Sequence, residues 1–322
     1  MAPPIRIIML GTGDFALPTF EHLCETGHQV VQLITQPDRP QGRKQELIPG
    51  RIKISALARG VQVFQPEDVN AADSIATIQA LAPDLLVTAA YGQILSPALL
   101  AVPRLGAINL HGSVLPSYRG AAPVARAIER GEPETGVTVI LMSPKIDAGG
   151  MISVAKTPIK PDETAGLLED RLARLGAPLI TDVIGALASG NAPILIQDRS
   201  KVTKAPKLRK EDGLIDWARP ASAIHNLVRA MQPWPIASTS IRRARDPSAP
   251  PHRLLVHKTL LIDEPTEFEH GVVVEASPGR FVVAAGIGQV QLLVVQFVGR
   301  KAMPSADLLR GFPVSPGDVM GT

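Results

Sequence analysis

Ile5-Arg6-Ile7-Ile8-Met9-Leu10-Gly11-Thr12-Gly13-Asp14-Phe15-Ala16 reads as a strand, a tight glycine turn and the start of a helix. A near-continuous apolar run such as Ile5–Leu10 predicts a strand buried on both faces, the situation of a parallel sheet covered by helices. Working outward, the same alternation repeats. Gln29–Ile34, Leu85–Ala89, Gly106–Leu110 and Val137–Met142 predict strands, and Leu17–Glu25, Ile52–Arg59, Ser74–Ala80 and Pro123–Arg130 predict helices. Strand–helix alternation of this kind predicts an α/β fold, a Rossmann-like doubly wound, mostly parallel sheet. A longer helix is expected over Ala165–Ala188, with Gly190 as its C-terminal cap.

The character changes near residue 200. Between Ser200 and Lys210 stand Lys201, Lys204, Lys207, Arg209 and Lys210 with no acidic residue among them. The expected organisation is a first domain over 1–199, a basic linker over 200–211 and a second domain over 212–322. That second domain holds one helical piece, Ala221–Met231, closed by Pro233-Trp234-Pro235. Leu254–His257, Gly271–Glu275, Arg280–Ala284 and Val290–Phe297 then predict strands, punctuated by turns such as Ser277-Pro278-Gly279. Closely spaced strands predict a small β-barrel, with Trp217 and Trp234 as core anchors.

Composition sets limits. Of 322 residues 45% are hydrophobic and 20% charged, ordinary for a soluble globular chain, and the net charge of +3 permits an anionic partner without demonstrating one. Cys24 is the only cysteine, so no intramolecular disulfide forms and a reducing compartment fits. The start, Met1-Ala2-Pro3-Pro4, lacks the basic region and longer apolar core of a signal peptide. No apolar stretch approaches the ~18–20 residues that span a bilayer. A cytoplasmic protein without a membrane partner is expected.

The glycine turn also matches the dinucleotide-binding pattern G-x-G-x-x-G/A, which raises a nucleotide-binding oxidoreductase as one candidate function. Such a site needs an acidic residue at the end of the second strand to hold a ribose. Here that strand ends Leu33-Ile34-Thr35-Gln36, and Asp38 comes too late. A tight turn between strand and helix accounts for the glycines instead.

Chemistry concentrates in Gly106-Ala107-Ile108-Asn109-Leu110-His111-Gly112-Ser113-Val114-Leu115-Pro116. Asn109 and His111, two apart at a strand's carboxyl end, point to one side of the sheet, where ligands of open α/β sheets sit. A second segment, Ser143-Pro144-Lys145-Ile146-Asp147-Ala148-Gly149-Gly150, leaves the Val137–Met142 strand, and its glycines allow close backbone approach to a ligand. Asn109 as a turn cap, His111 as a core histidine and Asp147 as an Asx-turn residue are the structural alternatives, and spacing alone leaves both readings open. No metal-ligand cluster and no poised cysteine is present, so no metal is expected.

The Asn109-x-His111-x-Ser113-x-Leu115-Pro116 run with Asp147-x-Gly149 resembles the signature of folate-dependent formyltransferases, and nearly the whole chain resembles the branch that acts on methionyl-tRNA. The resemblance implies Asn109, His111 and Asp147 as catalytic residues and 10-formyltetrahydrofolate as co-substrate. It also implies a folate site built from Ser113, Val114, Leu115 and Pro116 and from Ala90, Tyr91, Gly92 and Ile94 of the loop after the Leu85–Ala89 strand. Val114 stands where the family commonly has leucine, and Gly13 where it has proline. Formyl transfer, attack of an amine on a formamide-like carbon through a tetrahedral oxyanion, suits an amide donor, an imidazole and a carboxylate.

The acceptor is read elsewhere. Thr35-Gln36-Pro37-Asp38-Arg39-Pro40-Gln41-Gly42-Arg43-Lys44-Gln45-Glu46-Leu47 resembles the basic loop with which this branch reaches a tRNA acceptor stem. Arginine and lysine on a glycine-proline loop neutralise phosphates. Gln45 and Glu46 replace lysines common there. Gly213-Leu214-Ile215-Asp216-Trp217 and Met231-Gln232-Pro233-Trp234-Pro235 resemble the start of the family's C-terminal domain, which implies an OB-like β-barrel. The resemblance thus implies Arg39, Arg43 and Lys44 as tRNA contacts and initiator methionyl-tRNA as partner. The charge of the 200–211 stretch adds Lys204 and Lys207 as candidate phosphate contacts, with a solvated surface as the alternative, and a monomer is expected. A formyltransferase for an amino sugar or another small amine, which has no need of the basic loop, is the alternative.

Overall fold

The structure, a computed structural model, describes residues 4–41, 46–246, 248–262 and 264–321. Its contacts group into two compact units. The first comprises Met1–Pro123, Glu134–Pro158 and Glu169–Ala205, and the second Val124–Pro133, Ile159–Leu168 and Pro206–Thr322. The division is therefore not a single cut in sequence, and residues 200–205 pack with the first unit.

In chain order the elements begin β1 (Arg6–Gly11), α1 (Leu17–Glu25), β2 (Gln29–Ile34), the two-residue strands β3 (Pro40–Gln41) and β4 (Glu46–Leu47), and α2 (Arg51–Ala58). They continue β5 (Gln62–Phe64), α3 (Ala72–Ala80), β6 (Leu85–Ala89), α4 (Pro97–Leu100), β7 (Ala107–His111), α5 (Pro123–Glu129), β8 (Glu134–Leu141), β9 (Met151–Pro158) and α6 (Ala165–Ala188). Seven strands form the sheet of the first unit in the order β5-β2-β1-β6-β7-β8-β9. From β5 to β7 the neighbours are parallel, and β8 and β9 add antiparallel strands at one side. The chain winds from β1 out to β5, then returns to the far side of β1 with β6. The switch point of this doubly wound sheet thus lies between β1 and β6, where a crevice opens at the strands' carboxyl ends.

Packing explains the alternation seen in the sequence. Ile7, Ile8, Met9 and Leu10 of β1 are fully buried, as expected for a central strand covered on both faces. On β7, Leu110 faces α6, and a Cβ on Gly176 would lie 2.5 Å from its Cδ2. Only a glycine lets the helix approach β7 so closely. Because side chains alternate along a strand, Asn109 and His111 project from the opposite face. Two strands of this sheet escaped the sequence pattern. β5 is only three residues long, and β9 exposes every second residue, with Lys156 and Thr157 diluting its apolar signal.

The second unit contains α7 (Ala221–Ala230), β10 (Ala237–Arg242), β11 (His252–Ile262), β12 (Val273–Ser277), β13 (Arg280–Ala284), β14 (Gln289–Phe297), β15 (Met303–Pro304), α8 (Ser305–Gly311) and β16 (Val319–Gly321). Its antiparallel sheet runs β12-β13-β14-β11-β10-β16. The two edge strands then meet: Val272 bridges Val319, Val273 N donates to Asp318 O at 2.8 Å, and Met320 N donates to Gly271 O at 2.6 Å. The sheet curls into a small barrel with no long free edge. Trp217 is buried in it, its Nε1–H donating to Thr239 Oγ1 at 3.0 Å. Trp234 is 49% exposed and does not serve as a core anchor, because it sits in the proline turn between α7 and β10 rather than on a strand face. Among the described residues no helix is long and apolar enough to cross a membrane.

Candidate active site

The crevice at the switch point is laced by hydrogen bonds. Thr12 N donates to Ala90 O at 3.2 Å, tying the glycine turn to the loop after β6. The Thr12 hydroxyl lies 3.2 Å from Tyr91 O and 3.2 Å from Thr35 Oγ1, and it accepts from Gln36 N at 3.2 Å. Gln36 Nε2 donates to Tyr91 O at 3.3 Å. Thr35 and Gln36 therefore occupy the place where a dinucleotide site needs its carboxylate. Asp38 is turned away, toward Lys53 Nζ at 2.5 Å and Gln65 Nε2 at 3.1 Å. The Lys53 hydrogen bond, with Gln65 adding, holds the Asp38 carboxyl below the usual carboxylate range. The glycines serve the turn: Gly13 has φ +75°, and a Cβ on Gly11 would fall 2.6 Å from that of Ala16.

Along the loop after β6, Ala90, Gly92 and Ile94 are exposed beside this crevice. Tyr91 is different. Its side chain is 4% exposed within a cluster containing Ile8, Leu10, Ile34 and Leu86, and its hydroxyl has no hydrogen-bond partner among the described residues. Burial, with the charge of Asp68 adding, pushes the phenol up to about 12. What Tyr91 presents to the crevice is its carbonyl.

Asn109 and His111 close β7. The Thr88 hydroxyl on the neighbouring strand, in register with Asn109, donates to Asn109 Oδ1 at 2.7 Å. With its oxygen taken, the half-buried carboxamide offers its NH2 outward. His111 is 5% exposed, and Nε2 lies 2.9 Å from Tyr118 O. A carbonyl only accepts, so Nε2 carries the proton and Nδ1 is the uncommitted nitrogen. Nδ1 stands 3.6 Å from Asp147 Oδ2, and that oxygen accepts from Gly120 N at 2.9 Å. Asp147 itself has φ +49°, an uncommon conformation for a residue with a side chain.

Residues 113–116 follow as a pinned loop. Thr138 on β8 donates its hydroxyl to Ser113 O at 2.7 Å and accepts from Leu115 N at 3.1 Å. Ser113 is fully buried and donates its hydroxyl to Ser117 O at 2.7 Å, and Leu115 is buried. Val114 and Pro116 are the partly exposed members.

The basic residues are dispersed by comparison. Arg39 is exposed and pairs with the exposed Glu67 at 2.7 Å. Arg43 and Lys44 lie outside the described residues, as do Gly42 and Gln45. Lys204 in the first unit and Lys207 in the second are both exposed.

Residues 5–184 match the formyl transferase family, and residues 207–313 match the formyl transferase C-terminal domain. The methionyl-tRNA formyltransferase of Moorella thermoacetica is 42% identical over 317 residues, covering 98% of this chain and 99% of the relative. The chain belongs to the methionyl-tRNA formyltransferase family. The Bacillus subtilis methionyl-tRNA formyltransferase is 39% identical over 317 residues, with 98% of each chain covered. Among solved structures, the sugar 3N-formyl transferase WlaRD, determined with dTDP and 5-N-formyl-THF, aligns with a TM-score of 0.66 at 18% identity over 93% of this chain and 100% of that one. That likeness speaks for the fold.

Within this formyltransferase frame, several residues that hold the site carry no motif. Thr88 is hidden at the end of an apolar run, Thr138 inside a strand, and Arg119 and Gln197 in loops. Gln197 Nε2 donates to the carbonyls of Asp147 and Gly149, each at 2.8 Å. The register of β6 on β7 pairs Thr88 with Asn109, a signal available once the strands are aligned. Nothing local in the sequence points to Gln197.

Proposed function

We propose that this chain transfers the formyl group of 10-formyltetrahydrofolate to the α-amino group of methionine on initiator tRNA, for translation initiation. Membership of the methionyl-tRNA formyltransferase family over the full length supports the reaction and the acceptor. The observation that carries the chemistry is the 3.6 Å approach of Asp147 to His111 beside an Asn109 whose carboxamide NH2 is left free by Thr88.

The roles follow from which atoms are uncommitted. Asn109 NH2 donates to the formyl oxygen, more strongly as that oxygen becomes anionic in the tetrahedral intermediate. His111, anchored through Nε2, presents Nδ1 to the same region. Asp147 has Oδ2 on Gly120, so Oδ1 is the oxygen available to the attacking amine and its proton. A bond forms between the methionine nitrogen and the formyl carbon, and the bond to N10 of the folate breaks. N10 gains a proton as the amine loses one, so neither a covalent enzyme intermediate nor a redox step is required. Ala90, Gly92 and Ile94 on one side and Val114 and Pro116 on the other offer backbone and apolar contact to the folate, while Tyr91, Ser113 and Leu115 shape those loops from beneath.

In this reading residues 1–199 hold the catalytic part and 212–322 a tRNA-binding barrel, joined by the basic stretch 200–211, of which 200–205 pack with the first unit. Arg39, Arg43, Lys44, Lys204 and Lys207 supply phosphate contacts. The protein acts as a monomer in the cytoplasm, and sedimentation at micromolar concentration tests the first of these. Incubation with 10-formyltetrahydrofolate and methionine-charged tRNA tests the reaction. Product on initiator but not elongator tRNA is expected, and no product on either would overturn the acceptor.

A further inference from the structure

The His111–Asp147 pair is held by a loop outside the sheet. Tyr118 lends its carbonyl to His111, and Gly120 lends its N–H to Asp147. That loop is bonded in turn to residues 197–205. Tyr118 N donates to Thr203 Oγ1 at 2.8 Å, Arg119 N to Thr203 O at 2.9 Å, and Ala205 N to Arg119 O at 2.7 Å. The stretch that reads as the start of a linker is thus strapped across the back of the candidate site.

Gln197 closes the arrangement. Its side chain is 5% exposed, and both its amide hydrogens are used, one on Asp147 O and one on Gly149 O. Its oxygen accepts from Arg119 Nε at 3.0 Å and Nη2 at 2.7 Å. Two carbonyls on one side and a guanidinium on the other leave one orientation of the carboxamide. Asp147 has a left-handed backbone, which aspartate enters at modest cost, and the two hydrogen bonds from Gln197 flank it on the carbonyls of Asp147 and Gly149.

We propose that Gln197 is a positioning residue for formyl transfer: its carboxamide holds the Asp147 backbone in the conformation that brings the carboxylate to His111, and Arg119 fixes the direction of that carboxamide. The proposal rests on the reading of Asp147 as a catalytic residue. None of the described hydrogen bonds of Gln197 goes to residues 90–94 or 113–116. Its loss should therefore lower kcat and spare the KM for folate.

Gln197→Glu is the sharpest variant, because it keeps the shape and the Arg119 pairing but replaces two donors with an anionic oxygen facing two carbonyls. A kcat at least about tenfold lower is expected, with KM for 10-formyltetrahydrofolate and for methionyl-tRNA within about twofold. Hydrogen exchange supplies a readout without substrate. The Gly120 amide, bonded to Asp147 Oδ2, should exchange about tenfold faster or more in Gln197→Glu, while β7 amides stay protected. Should Gln197→Glu fail to fold, Arg119→Lys, which loses the two-point grip, carries the same two tests. Unchanged kcat, unchanged Gly120 exchange, or a loss seen equally in KM would each overturn the proposal. If wild-type protein fails to formylate methionyl-tRNA while Gly120 exchange responds as expected, the clamp stands and the functional reading falls.

Discussion

The cluster around His111 and the set of basic residues assigned to tRNA are built on opposite principles. Asn109, His111 and Asp147 are half-buried or buried, and each has a partner that fixes its direction: Thr88, Tyr118 and Gly120. Arg39, Lys204 and Lys207 are exposed, and Arg39's pairing with the equally exposed Glu67 contributes little to rigidity. Bond making demands placement within a fraction of an ångström, so the protein commits buried hydrogen bonds to it. Attraction to phosphate falls off slowly with distance, so it tolerates mobile side chains and depends mainly on their number.

Substitutions can break this contrast. Asn109→Ala and Asp147→Ala should lower kcat by about 10²–10³-fold, the usual effect of removing an oxyanion donor or proton acceptor, with folate binding nearly intact. Steady-state kinetics with separate folate and tRNA titrations checks it, and near-normal turnover in either variant would remove that residue from the mechanism. Thr88→Val should come next. Without the Thr88 hydroxyl the Asn109 carboxamide is free to turn its oxygen toward the formyl group, and a kcat lower by roughly tenfold is expected. Thr88→Ser restores the donor and should recover most of the rate. An equal loss in both variants would mean that packing, not the hydrogen bond, is at stake.

The basic side should respond differently. Lys204→Ala combined with Lys207→Ala should raise the KM for tRNA severalfold and leave kcat at saturation. The salt dependence of tRNA binding should flatten by about one unit of slope for each phosphate no longer neutralised. A fall in kcat without a change in salt slope would place these lysines on the catalytic side of the contrast.

The sequence was legible where one interaction dominates. β1 and β6 are buried on both faces, so hydrophobicity alone outlines them, and the glycine turn declares itself through Gly11 and Gly13. The pairing of Asn109 with His111 on one face follows from the two-residue repeat of a strand. β9, half exposed, and β5, three residues long, left too weak a pattern. Gln197 was invisible for another reason: its partners lie 48 to 78 residues away, and two of the three residues are met at backbone carbonyls, which any sequence supplies. Residues 200–205 read as tether because lysines suggest solvent, yet Thr203 and Ala205 bond to Tyr118 and Arg119 through backbone and one hydroxyl.

Tyr91 offers the finest test, because it sits in a loop attributed to the folate while its side chain lies with the core. If the buried hydroxyl stays without a partner when ligand binds, Tyr91→Phe removes a cost and nothing else. A gain of about 1 kcal/mol in unfolding free energy is expected, since an unsatisfied buried polar group carries about 1–3 kcal/mol. Denaturant melts measure it, and KM for 10-formyltetrahydrofolate should stay within about twofold. A several-fold rise in KM, with no gain in stability, would mean that the phenol turns out of its Ile8–Leu86 cluster to meet the ligand. The loop after β6 would then belong with the mobile groups rather than with the fixed ones, and the line between the two regions would have to be drawn inside the folate site itself.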